Sequence, residues 1–328
     1  MTQIQRAQAF KALHEGAGMF IIPNPWDVGS ARILAGLGYK ALATTSSGFA
    51  LSRGLADYQI TREMKLAHCA ELAAATDLPL SADLENGFGH DPDTCAETIT
   101  LGAEAGLVGG SIEDFTGDSD APIYDIEAAT ERVRAAAAAA SGLAFPFMLT
   151  ARAENFLHGR ADLVDTIARL QAYQEAGADV LYAPGLRTLE DIRSVLSEID
   201  RPLNVLMGPF EGFVPLSELA ELGVKRVSLG SGFSNNAYGA LIEASREVLE
   251  QGTLGFMSRA ASGGSGNTSP VRRNAITCRR NQGRPVAPRP IITPSAPDSR
   301  SAVAASAREL ISPLTITGMR TASLTRAT

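Results

Sequence analysis

Along residues 1–255, short apolar runs alternate with longer stretches whose apolar positions recur every three or four residues. The runs at 20–23, 41–45, 78–83, 108–113, 145–152, 180–184, 202–206 and 226–230 read as buried strands. Helical spacing lies between them. Leu163, Ile167, Leu170 and Gln174 follow it with their apolar members on one face, and Gly177 is placed to end that helix. The phrases EAGLVGG and EAGADVL repeat one unit: helix end, glycine, strand. GLGYKALAT and ELGVKRVSL do the same. Eight strand–helix units with short connections predict an α/β fold with a parallel sheet, and about 240 residues for eight units match a closed (β/α)8 TIM barrel. An open doubly wound sheet is the alternative, but no GxGxxG follows the first strand.

The pattern stops near residue 255. Beyond it the chain is rich in Ser, Pro, Gly, Arg and Ala with little periodicity. The expected organisation is a barrel catalytic domain, 1–255, and a low-complexity Arg/Ser/Pro-rich tail, 256–328. Such a tail cannot bury enough apolar surface to offset its ordering entropy, so disorder is expected, with only 301–311 patterned as a marginal helix. Charge divides at the same place. The tail carries eleven Arg, no Lys and only Asp298 and Glu309, or +9, so the net −7 of the whole chain leaves −16 on 1–255. An acidic body and a tail without interleaved aromatics argue against nucleic acid as a partner. Aromatics are only 6% of the chain, so the core must rest on Ala, Leu, Val and Ile. No run of about 18 apolar residues suggests a membrane span. The first residues, MTQIQRAQAFKAL, lack the apolar core of a secretory signal, and Cys69, Cys95 and Cys278 show neither disulfide nor metal spacing. The expected compartment is the cytoplasm.

A barrel of this kind carries its site at the carboxyl ends of its strands. Asp83 and Glu85 lie two apart after the third strand, which puts both on one side of an extended chain. Glu113 closes the fourth strand. Three carboxylates at one rim repel each other unless a cation sits among them, and oxygen ligands suit Mg²⁺ or Mn²⁺. Capping of the following helices or pairing with Arg is the competing reading. Arg152 ends the apolar run FPFMLTAR and needs an anionic partner, either Glu113 or Glu154 or a substrate carboxylate. Ser46, Ser47 and Gly48 form a small-residue turn whose N–H groups can face an anion, and LGSG at 229–232 could do likewise. His90 and His158 fall on the same side and are candidates for proton transfer. Lys40 and Lys225 precede strands, at the wrong end of the barrel for a Schiff base.

The stretches NPWDVGSAR (24–32), TTSSGFA (44–50), SADLENGFG (81–89), GGSIED (109–114), TARAENF (150–156) and EAGADVLYAPG (175–185) together resemble the isocitrate lyase/phosphoenolpyruvate mutase family over about 1–255. The resemblance implies a (β/α)8 barrel that assembles as a homo-oligomer by exchanging a C-terminal helix. It implies Mg²⁺ and small 2-oxo or 2-hydroxy carboxylate substrates that pass through an enolate-like intermediate. By position, Asp83 is the expected principal Mg²⁺ ligand. Glu85, Glu113 and Asp57 are expected to act through bound waters. Ser47 and Gly48 are the expected N–H donors to the substrate carboxylate, and Arg152 the bridge to substrate oxygens. Two departures bear on subtype. Lyases of the family carry a KKCGH-like loop whose Cys moves a proton, whereas here the loop reads DFTGDSDAPIYD. The Asn gating loop and the His of phosphonomutase-like members have no counterpart either, since strand six ends in Ala183 and Pro184. Tyr124, Asp118, Asp120 and His158 are the candidates for the missing acid or base. The expected activity is Mg²⁺-dependent C–C cleavage in a small dicarboxylate or related 2-oxo acid. P–C chemistry on a phosphonate or an enolpyruvate phosphate, or carboxylate binding without catalysis, is the alternative.

Overall fold

The computed structural model describes residues 1–208 and 214–261. The sequence proposals for 262–328, including the tail and its marginal helix, lie outside the described residues. An opening helix α1 (Gln3–Glu15) precedes β1 (Phe20–Ile22). Then follow α2 (Val28–Gly36), β2 (Leu42–Ala43), α3 (Ser46–Ser52), α4 (Arg62–Ala75), β3 (Leu80–Asp83), α5 (Pro92–Glu104), β4 (Gly109–Glu113) and α6 (Ile126–Ser141). The second half contains β5 (Met148–Arg152), α7 (Leu163–Glu175), β6 (Val180–Tyr182), α8 (Leu189–Glu198), β7 (Leu203–Leu206), α9 (Leu216–Leu222), β8 (Arg226–Ser228) and α10 (Gly232–Arg246). All strand pairs are parallel, in the order β1-β8-β7-β6-β5-β4-β3-β2. Between the two ends of that order, the Ala43 N–H donates to the Pro23 carbonyl at 3.1 Å. The molecule is a nearly closed (β/α)8 barrel, as its periodicity predicts.

Every predicted strand is present, but most are shorter than their apolar runs. Proline sets several of these limits, because it has no N–H to give the ladder. Pro23, Pro79, Pro146, Pro184 and Pro202 each lie just outside a strand. The helices start where short polar side chains can satisfy free N–H groups. Thr2, Asp27, Thr45, Thr61, Asp125, Asp162 and Thr188 all accept such a bond. On α7 the buried face is Thr166, Arg169, Leu170 and Tyr173, rotated from the predicted Leu163–Ile167 stripe. The shift follows from Asp114, whose carboxylate takes Arg169 at 3.0 Å and the Tyr173 hydroxyl at 2.7 Å. A buried ion pair here outranks apolar spacing.

Small residues let the helices approach the barrel closely. On α6, Ala129, Ala136, Ala137 and Ala140 are buried, in place of the aromatics the chain lacks. Cys69 and Cys95 are buried free thiols on α4 and α5. The amino end of the barrel is closed by α1, whose Ala7 and Phe10 cluster with Ile22, Ala41, Val108, Met148 and Val180. The last helix differs from the rest: Ser234 is the buried residue on α10. Leu241, Ile242, Leu249, Leu254 and Met257 stand exposed on or after it, Leu249 at 85%. No described helix is long and apolar enough to cross a membrane.

Candidate active site

The carboxyl ends of the strands surround a cavity of about 250 Å³ lined by Asp57, Asp83, Glu113, Arg152 and Glu154, with Thr45, Ser46 and Ser47 beside them. A larger cavity, about 630 Å³, opens near Lys11, His14 and Arg201, at the end closed by α1. The register brings the first assembly together: Glu113 pairs with Arg152, while Asp83 pairs with Ser111, two residues before Glu113, and the Arg152 side chain reaches across β4 to meet Asp83. Arg152 is the hub. Its Nη1 lies 2.9 Å from Asp83 Oδ1 and 3.1 Å from Glu113 Oε2, and its Nη2 lies 2.7 Å from Glu154 Oε1. Its Nε also donates to Glu154, at 2.8 Å. The sequence left Arg152 to choose between internal carboxylates and substrate, and the fold surrounds it with three of the former. Asp83 is held further by Ser46, whose hydroxyl donates at 2.6 Å and whose N–H donates at 3.3 Å.

Burial dominates the electrostatics. It would raise the Asp83 carboxyl, but Arg152, Lys65 and the Ser46 bonds outweigh it and hold Asp83 below its ordinary value. Glu113 is pushed well up by burial, against the pull of Arg152 and with Glu154 and Asp83 crowding it. Burial lifts Glu154 to about 7, with Arg152 opposing. Glu85 rises to about 8 through burial and the Asp83 charge. Glu85 Oε1, Glu113 Oε1 and Glu154 Oε2 are buried without a hydrogen-bond partner. Such an excess of buried, under-satisfied carboxylate is what a hard cation would neutralise. Among the described residues, no three Asp, Glu, His or Cys side chains converge closely enough to hold an ion by themselves. The donor set therefore fits a cation that keeps several waters and takes few direct protein ligands, which is how Mg²⁺ is usually bound.

The other expected residues are distributed unevenly. Glu85 does not line the central cavity; it borders a neighbouring cleft with Tyr58, Asn86 and Thr94. The same-side argument for residues two apart needs extended backbone, and Glu85 sits in the left-handed region at φ 48°. Ser46–Gly48 form not a loose turn but the first turn of α3. Thr45 Oγ1 already accepts the Gly48 N–H at 3.2 Å. Gly48 is required there, since a Cβ would come within 2.7 Å of Thr45 Cγ2 and 2.8 Å of Ser234 Oγ. His158 stacks on Phe115 and has Nε2 3.9 Å from Glu154 Oε2, close to the site but not lining the cavity. Tyr124 is brought elsewhere: its hydroxyl meets His90 Nδ1 at 2.5 Å, and Arg132 lies over its ring. Asp118 and Asp120 are exposed and line none of this cavity. Gly230 and Ser231 of the LGSG segment do line it.

Sequence reasoning missed three residues. Tyr58 lines the cavity mouth from a left-handed backbone at φ 61°, with its ring tilted against Phe115. Lys65 is fully buried with an unpartnered Nζ, and its charge acts on Asp83 and Glu85. Its signal was present: Lys65 shares the helical face of His68, Cys69 and Leu72, all buried. Arg226, inside an apolar strand run, reaches the cavity from below.

A (β/α)8 barrel with paired carboxylates and an arginine at its carboxyl rim defines a class of small-molecule enzymes. Within it, residues 10–249 match the family model for phosphoenolpyruvate phosphomutase, and the chain belongs to that family, the isocitrate lyase/phosphoenolpyruvate mutase superfamily of enzymes, which includes lyases. The chain is 32% identical over 230 residues to an uncharacterized protein of Mycobacterium tuberculosis, covering 68% of this chain and 82% of that one. A 2-methylisocitrate lyase of Halalkalibacterium halodurans is 28% identical over 225 residues, covering 66% of this chain and 71% of the relative. Among solved structures, a Burkholderia cenocepacia J2315 protein described only as a lyase/mutase superposes with a TM-score of 0.79 at 56% identity, covering 81% of this chain and 96% of that one.

Proposed function

We propose that the protein is a Mg²⁺-dependent lyase that cleaves a C–C bond in a small 2-oxo or 2-hydroxy carboxylate through an enolate-like intermediate. The observation that carries this reading is the buried carboxylate excess around Arg152, where Glu113 Oε1 and Glu154 Oε2 lack partners. Asp83 would hold the ion, with Glu113 and Asp57 acting through its waters; Mn²⁺ suits the same donors. The bound ion supplies Lewis-acid stabilisation of the developing oxyanion. Asp83, kept ionised by Arg152 and Ser46, is ready to ligate without first losing a proton. Arg152 spends its donors on three carboxylates, so it fixes their geometry and presents one remaining Nη2 N–H for a substrate oxygen. Ser47, the N–H neighbour of capped Gly48, is the carboxylate donor at the start of α3. Tyr58 and Leu157 at the mouth would exclude water from the intermediate.

The exposed apolar side chains of α10 and the residues after it support a homo-oligomer in which that helix packs on a partner subunit. Light scattering of the purified chain tests this, and a monomer at micromolar concentration would refute it. For the activity, the test is a screen of 2-oxo and 2-hydroxy acids with Mg²⁺. Asp83→Ala should abolish both Mg²⁺ binding and turnover, whereas undiminished turnover would sink the proposal.

A further inference from the structure

An enolate-like carbon must be protonated to end the reaction, and the groups expected from the sequence do not supply that proton. Tyr124 is carried to His90, Asp118 and Asp120 are exposed, and His158 stacks on Phe115 without lining the cavity. Asp83, Glu113 and Glu154 pair with Arg152 and face the cation they would neutralise. Two phenols line the cavity, Tyr58 and Tyr182. A phenol, with an ordinary value of about 10, gives up its proton more readily than the serine and threonine hydroxyls around it.

Tyr58 is held at the mouth by its backbone and its neighbours. It lies between α3 and α4 in a turn closed twice: the Gln59 N–H donates to the Ala56 carbonyl at 3.3 Å, and the Ala56 N–H donates to Gln59 Oε1 at 3.0 Å. Inside that turn Tyr58 takes φ 61°, a left-handed conformation that suits Gly or Asn and strains a bulky residue. Strain of this kind persists where the surroundings fix it, and it gathers at functional sites. The ring packs at 4.7 Å and 58° against Phe115, which stacks on His158 at 4.0 Å. Three loops therefore set the position of one hydroxyl, which faces Glu113. Burial, then the Glu113 and Glu154 charges, raise this phenol far above its ordinary value, so its proton stays until a strong base arises beside it. Tyr182 is placed differently. The Arg152 guanidinium carbon lies 5.1 Å from its ring centroid, and its hydroxyl is beside Ser228 at the end of β8.

Resting on the proposed function above, we propose that the Tyr58 phenol is the catalytic acid that protonates the enolate carbon at the mouth of the cavity. When the C–C bond breaks, its electron pair stays on the fragment that becomes the enolate. The 2-oxygen of the other fragment becomes a carbonyl as its proton passes to water. The enolate then forms a C–H bond with the proton of the Tyr58 O–H, leaving a phenolate. Tyr58 is 39% exposed, so the phenolate recovers a proton from the solvent on its outer side. In the reverse sense, the same group takes a proton from the carbon next to the carbonyl of a bound 2-oxo acid. The role left open by the loop DFTGDSDAPIYD thus passes to a residue on a different loop, before α4 rather than after β4.

The test uses the full chain with Mg²⁺ and two probes. Isothermal titration with oxalate reports on binding, and proton NMR of pyruvate in D₂O reports on exchange of the methyl protons. The wild type is expected to bind oxalate and to exchange pyruvate. Tyr58→Phe keeps the ring and removes the O–H, so exchange should fall about 100-fold or more, the range of a general acid–base group. Its oxalate affinity should move less than about twofold, and its melting temperature in a chelator less than about 2 °C. Tyr124→Phe should exchange like the wild type. Tyr58→Gly, which the left-handed backbone accepts, should lose exchange to the same extent and decides the matter if Tyr58→Phe does not fold. Exchange within about tenfold of wild type in the Tyr58 variants would overturn the proposal, as would a loss confined to Tyr182→Phe. A Tyr58→Phe that weakens oxalate as much as exchange assigns the residue to binding and also overturns it. Wild-type protein that binds oxalate but does not exchange pyruvate would overturn the Tyr58 assignment and leave the proposed function standing. No Mg²⁺-dependent binding of oxalate would overturn both.

Discussion

Arg152→Met removes the one guanidinium that faces Asp83, Glu113 and Glu154 and replaces it with a side chain of similar length and no charge. Arg152 is 12% exposed, and its three partners lie within 3.1 Å, so solvent compensates little. Deleting one partner of such a buried pair costs about 3–5 kcal/mol, because the remaining charges stay buried and unpaired. At about 2–4 °C per kcal/mol for a domain of this size, the metal-free variant should melt about 6–20 °C lower at pH 8. The pH dependence follows from the carboxylates. Glu113 and Glu154 have raised folded values even with Arg152 present, and losing it raises them further. A carboxyl raised in the folded state favours folding when protonated and opposes it as pH rises through the folded value. The deficit of the variant should therefore shrink between pH 8 and pH 5.5. Scanning calorimetry of both proteins in a chelator at the two pH values measures it. A variant melting within about 2 °C of wild type at pH 8, or one with the same deficit at both pH values, would refute the reasoning.

Gly48→Ala places a methyl 2.7 Å from Thr45 Cγ2 and 2.8 Å from Ser234 Oγ, so the first turn of α3 must move. A loss of about 1–3 kcal/mol by thermal melting, with weakened oxalate binding by titration, is expected. His68 is buried, stacked on Phe49, and its Nε2 lies 3.0 Å from the Trp26 carbonyl. Burial and Lys65 lower it to about 3, so its contribution is complete above 6.5 and fades as pH falls toward the folded value. Urea unfolding should show about 2 kcal/mol less stability from His68 at pH 5 than at pH 7.5, a difference absent in His68→Gln. Tyr173→Phe deletes the hydroxyl that donates to Asp114 at 2.7 Å and should cost about 1–3 kcal/mol in the same assay, while an unchanged midpoint would show that Arg169 alone satisfies that carboxylate.

The sequence by itself determined the barrel. Eight continuous apolar runs spaced by helical stretches leave a parallel sheet as the way to bury both strand faces, and the prolines that bound the strands are local facts. It also determined which chemistry sits at the rim, because Asp83, Glu113 and Arg152 each end a strand and every strand of such a barrel points its end the same way. Relations across the barrel were not legible. One guanidinium serves three carboxylates only because β3, β4 and β5 are aligned in register. Glu85 left the cavity because a left-handed φ, invisible in its residue type, turned its side chain aside. Tyr124 read as a candidate acid from its place after β4, yet its loop folds back so that Phe115 bridges Ile123, which carries the ring to His90. Lys65 and Arg226 read as ordinary charges on a helix and a strand. What makes them unusual is burial, and burial is a property of what the rest of the chain packs around a side chain.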